Sequence, residues 1–198
     1  GYALILLVIV ICIKIYMESD MYNLKCIISN VDGNTYCVRE KENMDKAANI
    51  LAETNKRLKK LVNHCNEKYK DRDNVKRLYK GFNPDKIYET LPTSKYTAYS
   101  QNKGEKLAFC LNKEKNNKEL IDINTLVFVA IHELSHIASK SVGHTDEFWG
   151  NFRFLLIEAK DIGIYQPEDY NKKSKRYCGT DITDNPYYDE KIKSPLLA

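Results

Sequence analysis

"VAIHELSHIASKSVGHTDEFWGNF", residues 129–152, carries three of the four histidines in this chain of 198 residues. His132 and His136 lie inside an otherwise apolar run, four positions apart. On a helix that spacing sends both imidazoles from one face, one turn apart. Leu126, Val127, Val129, Ala130, Ile131, Leu134 and Ile137 make the helix apolar nearly all round, so it is expected to be buried. Two histidines and Glu133 in such a helix need polar partners, and a metal ion satisfies all three at once. Asp122 or Asn124 caps this helix, which runs from Thr125 to about Ser139. Gly143 ends the unit. Thr145 caps a second helix whose Asp146 and Glu147 complement its N-terminal dipole.

The spacing of His132 and His136 lets each place a nitrogen about 2.0–2.1 Å from one zinc ion. Glu133 projects beside such a metal, where it can take a proton from a zinc-activated water that attacks a carbonyl. This is the HExxH pattern of zinc metallopeptidases. A catalytic zinc needs a third protein ligand and an open position. His144 follows Gly143, whose freedom permits a sharp return under the metal, and it is the preferred third ligand. Glu158, on the next helix in "EAKD", is the alternative and has an easy role as a solvated or supporting residue.

Working outward, 22–40 reads as two short strands around Asp32-Gly33-Asn34. Asn43 to Lys70 is amphipathic at helical spacing, a core-packing helix with His64 beside its apolar stripe as a half-buried histidine, not a ligand. Asp73 to Tyr79 reads as a short helix, and Asp85 to Leu91 as a further helical turn before Pro92. Residues 95–112 read as a hairpin around Asn102-Lys103-Gly104. The stretch 164–198 reads as mostly loop with a mobile end.

"YALILLVIVICIKIYM", Tyr2 to Met17, has Lys14 as its only charge. It is expected to be a single-pass membrane anchor, although as a helix it spans only about 24 Å. Five cysteines lie outside it with no CxxC pair, so a cysteine zinc finger is not expected. Reduced thiols in a domain on the cytosolic side are expected, with a Cys110–Cys178 bridge as the alternative. The net charge of +4 is spread among acids, as in "KEKNNKE" (113–119), and gives no strong nucleic-acid signal.

"HELSH" followed by "GHTDEFW" resembles the SprT-like and WLM families of small zinc metallopeptidases. The order "NKGEKLAFCL", "DINTLVFVAIHELSHIA", "GHTDEFW", "YCG" is also similar to metallopeptidase-like proteins of large DNA viruses and their algal or protist hosts. The resemblance covers roughly residues 95–180. It implies His132, His136 and His144 as zinc ligands, Glu133 as general base, and Lys106 to Leu111 as the edge strand that pairs with an extended peptide. The seven residues between His136 and His144 exceed the usual WLM gap. For some members the resemblance implies DNA–protein crosslink repair, which the missing basic cluster does not favour. Tyr165 and Tyr177 are candidate oxyanion stabilisers, while Phe148 and Trp149 are expected to anchor the second helix under the site.

The expected fold is α+β: a small zincin-like domain with a short sheet on the active-site helix, preceded by the N-terminal hydrophobic helix. Its expected parts are the anchor at 1–19, strands and packing helices at 20–94, the metallopeptidase core at 95–180 and a loop-rich tail at 181–198. The expected function is peptide-bond hydrolysis of a protein or peptide substrate with Zn2+. The alternatives are a glutamate-type zincin using Glu158 and a non-catalytic membrane-tethered interaction protein.

Overall fold

The computed structural model describes residues 2–18, 24–115 and 118–193. The part of the expected anchor at residues 1 and 19, the start of the next segment at 20–23 and the mobile end over 194–198 lie outside the described residues. In chain order the elements are α1 (Tyr2–Glu18), β1 (Leu24–Ile28), β2 (Thr35–Arg39), α2 (Met44–Tyr69), α3 (Asp73–Gly81), β3 (Ile87–Glu89), β4 (Ala98–Gln101), β5 (Lys106–Phe109), α4 (Ile123–Ala138), α5 (Asp146–Asp161), β6 (Lys175–Tyr177) and β7 (Thr180–Ile182). Among the described residues this is a mixed α+β fold with five α-helices.

The main sheet has the order β1-β2-β3-β5-β4. Its outer pairs are antiparallel hairpins, and β3 joins β2 and β5 in parallel. Helix α2 packs on β1 to β3, and α4 on β4 and β5. The stripe Ala48, Leu51, Leu58, Leu61 and Cys65 of α2 is fully buried, as its spacing predicts. Helices α3 and α5 pack against α4, so the histidine-bearing helix lies at the centre of the molecule.

The hairpin read around Asn102-Lys103-Gly104 is present as β4–β5. A Cβ on Gly104 would stand 2.3 Å from the Gly81 carbonyl oxygen and 2.8 Å from Ile137 Cδ1. The tip of this hairpin therefore sits directly on the end of α3 and on α4.

Several expectations are corrected. The helical turn read over Asp85 to Leu91 is the central strand β3, with Ile87 and Glu89 buried. Three residues are too few to show a period, and tertiary pairing decides. Glu89 accepts the backbone N–H of Arg39 at 2.7 Å and lies 3.2 Å from its Nε, which ties β3 to β2. Strand β5, expected at the edge, is internal; β4 is the edge strand beside it.

The single-pass membrane anchor is overturned. Among the described residues no helix is long and apolar enough to cross a membrane.

Reduced thiols give way to two disulfides, Cys26–Cys37 and Cys110–Cys178. The first joins directly paired residues of β1 and β2. The second fastens the small β6–β7 hairpin, inside the stretch read as loop, to the end of β5. Backbone bonds from Cys178 N to Asn112 O and from Gly179 N to Lys113 O run alongside it. Cys12 and Cys65 are free.

Candidate metal centre

Helix α4 begins at the Asp122 cap, whose carboxylate accepts the Thr125 N–H at 3.0 Å. His132 and His136 leave one face of it half-buried, and Glu133 lies buried on the adjoining face. After Ser139 the chain reverses. Gly143 adopts φ +82, a conformation that favours glycine, and turns the backbone into His144. Thr145 caps α5 through the Phe148 N–H.

The reversal carries His144 back onto the helix. Its Nε2 lies 3.0 Å from Nε2 of His132. One ligand nitrogen from each of His132, His136 and His144 falls within 4.8 Å of the others, so the cluster can hold a metal ion. The ring centroids form a nearly equilateral triangle, with sides of 5.0, 4.9 and 5.0 Å. Phe148, fully buried, packs against all three rings at 4.8, 4.3 and 4.6 Å and forms their floor. Trp149 stands 5.6 Å from His144 on the same helix.

Burial, reinforced by the neighbouring imidazoles, pushes His132 down to about 3. Burial, His144 and then Lys103 push His136 down to about 4. Both are therefore neutral at neutral pH, with lone pairs available to a metal. Burial pushes the Glu133 carboxyl up to about 7, against the opposing pull of the Ser100 backbone N–H that it accepts. This donor sits on the edge strand β4, so the free edge of the sheet runs beside the glutamate.

Glu158 is not part of this cluster. Its carboxylate faces α2, 2.8 Å from His64 Nε2, 3.1 Å from Lys68 Nζ and 2.7 Å from the Tyr69 hydroxyl. Burial alone would raise its carboxyl, but the Tyr69, His64 and Lys68 bonds outweigh it and hold it below the ordinary value. His64 is half-buried and spent on this pair. The Tyr165 hydroxyl is buried and accepts from Asn185 Nδ2 at 2.8 Å. The Tyr177 hydroxyl donates to Thr97 O at 3.1 Å. Of the two tyrosines, Tyr177 is the one that shares a cavity wall with Glu133.

Two cavities meet at the cluster. An open groove of ≈ 1000 Å³ runs between β4, the 91–96 loop and the three histidines. A smaller cavity of ≈ 310 Å³ opens at His132 and Glu133 and is walled by Phe128, Val129, Phe152 and Ile182. The β7 wall, Ser100 and Lys103 carry no signal in one dimension, because their partners lie far along the chain.

A small mixed sheet on a buried helix, with two histidines one turn apart and a third returned to them, defines an α+β domain whose histidine cluster could hold a metal ion. The chain belongs to the WLM domain family, whose match runs over residues 32–195. That agrees with the resemblance carried by "HELSH" and "GHTDEFW", and the family is of metallopeptidase type. The chain is 32% identical over 161 residues to an uncharacterized protein of Acanthamoeba polyphaga mimivirus, covering 79% of this chain and 81% of that one. It is 30% identical over 81 residues to an uncharacterized protein of Invertebrate iridescent virus 6, covering 41% of this chain and 44% of the relative. A protein of Invertebrate iridescent virus 3 is 36% identical over 81 residues, with 41% and 48% covered. The match thus spans under half the length of these last two relatives. No solved structure matches the chain.

Proposed function

We propose that this chain is a zinc-dependent metallopeptidase, with His132, His136 and His144 as ligands and Glu133 as general base. The observation that carries this reading is the convergence of three imidazole nitrogens within 4.8 Å beside a buried carboxyl on the same helix. The donor set fits zinc: two imidazoles held neutral by burial, a third beside them, and three protein ligands that leave one position open. A bound zinc ion would polarise a scissile carbonyl and lower the pKa of a water molecule.

The chain's own groups supply the rest. Glu133 takes the proton of the attacking water and returns it to the leaving amine. A carboxyl held near 7 by burial suits both transfers. The Ser100 N–H keeps that carboxyl oriented. Phe148 closes the site from below and fixes the three rings.

The substrate is an extended peptide. Strand β4 is an edge of the sheet and lines the groove, so its backbone groups can pair with a peptide laid along it. The smaller cavity, whose Phe128, Val129, Phe152 and Ile182 side is apolar and which Thr180, Thr183 and Asp184 also line, takes an apolar side chain flanking the scissile bond. The test is cleavage of a heat-denatured protein by the zinc-loaded chain. Hydrolysis that stops in Glu133→Gln supports the reading. Equal hydrolysis by that variant would contradict it.

A further inference from the structure

Seven residues separate His136 from His144, enough to leave the third imidazole loosely held. Instead the linking backbone is gripped by charged side chains from three other elements. Lys103, at the tip of the β4–β5 hairpin, donates from Nζ to the carbonyl oxygens of His136 at 2.9 Å, Ser139 at 2.8 Å and Ser141 at 2.9 Å. All three ammonium donors are thereby used, at the helix end where a cation meets the negative pole of the dipole.

Glu147, in the first turn of α5, holds the same segment from the other side. It accepts the N–H groups of Lys140 at 2.9 Å and Ser141 at 3.0 Å, and the Ser141 hydroxyl at 2.8 Å. Arg77 of α3 completes the grip, with Nη2 3.0 Å from Glu147 Oε1 and Nε donating to Ala138 O at 2.8 Å. The hairpin tip also takes up uncommon backbone: Asn102 and Lys103 have φ of +48 and +55. Such left-handed backbone is uncommon outside glycine and persists where the surroundings hold it.

We propose that Lys103 and Glu147 are positioning residues for the third metal ligand. They clamp residues 139–141 so that His144 is presented to His132 and His136 at metal-binding distance. The inference rests on the reading of His144 as a ligand. Neither side chain belongs to the cluster itself; both bond the backbone that leads to it, and the Lys103 cation also lies within electrostatic reach of His136.

The test is zinc affinity by competition with a chromophoric chelator. It compares wild type, Lys103→Met, Glu147→Gln, His144→Ala and each clamp variant combined with His144→Ala, with circular dichroism in parallel. Each clamp variant should weaken zinc binding about 10–100-fold. That loss should disappear in the His144→Ala background, because there is then no third imidazole left to position. Unchanged affinity in both folded clamp variants would overturn the inference. So would an equal loss with and without His144, which marks a general effect on the fold. If Lys103→Met loses its helical signal, Glu147→Gln, which keeps its shape, decides. A wild type that binds no zinc, or binds it equally well without His144, fails differently: it removes the metal-site reading and the inference with it.

Discussion

His132 Nε2 and His144 Nε2 stand 3.0 Å apart, although one belongs to a buried helix and the other to the turn that follows it. Two nitrogens bound tetrahedrally to one zinc at about 2.0–2.1 Å lie about 3.3 Å apart. The chain therefore folds its third histidine to near the distance a shared metal requires. Phe148 beneath the three rings explains how: the residue that starts α5 in the core also sets the plane of the cluster.

Glu133 sits beside the cluster without joining it. Glu133→Gln should keep its zinc and lose about 10²–10⁴-fold in kcat, the range for a general base. Zinc content and hydrolysis measured on one preparation check this. Loss of metal together with activity would make Glu133 a ligand.

The smaller cavity should set selectivity. Ile182→Asp adds a carboxylate to the apolar part of its wall, beyond the Asp184 already at its rim, and should reduce the preference for a bulky apolar residue beside the scissile bond by about tenfold or more. Mass spectrometry of cleavage sites in a peptide mixture reads this directly. Identical site profiles for the two proteins would remove the cavity from substrate recognition.

Glu158 should prove structural. Its folded carboxyl lies below its ordinary value of 4.5, so it contributes stability that is present above pH 4.5 and lost as pH falls through the folded value. Glu158→Gln should cost about 1–3 kcal/mol at pH 7. Urea midpoints for variant and wild type should converge below pH 4.5. A gap that stays constant with pH would show that the charge of Glu158 is not what matters.

The Cys110–Cys178 bridge closes a sequence separation of 68 residues. By chain entropy, replacing both cysteines with serine should cost about 4 kcal/mol. Thermal unfolding checks this. An unchanged melting temperature would mean that the backbone bonds at Cys178 and Gly179 hold the hairpin unaided.

The legible parts of the chain were those with a local signature. Helices α2, α4 and α5, the caps at Asp122 and Thr145, and the Asn102-Lys103-Gly104 turn declare themselves through period and turn chemistry. The spacing of His132, Glu133 and His136 is likewise local, and Gly143 flags the return of His144. What failed was non-local. Strand β3 is three residues held between two parallel neighbours, and no pattern that short distinguishes it from a helical turn. The edge position of β4 follows from strand order, which hairpin signals do not give. The role of Glu158 depends on partners 89–94 positions away. The grip of Lys103 depends on carbonyls 33–38 positions away. Apolarity suggested an anchor at the N-terminus, but among the described residues no helix is long and apolar enough to cross a membrane.

The most direct measurement is zinc content after dialysis for wild type, His144→Ala and Glu158→Gln. The account predicts one zinc per chain in wild type and in Glu158→Gln, and its loss in His144→Ala. A folded wild type without zinc, or zinc lost only with Glu158→Gln, would contradict it.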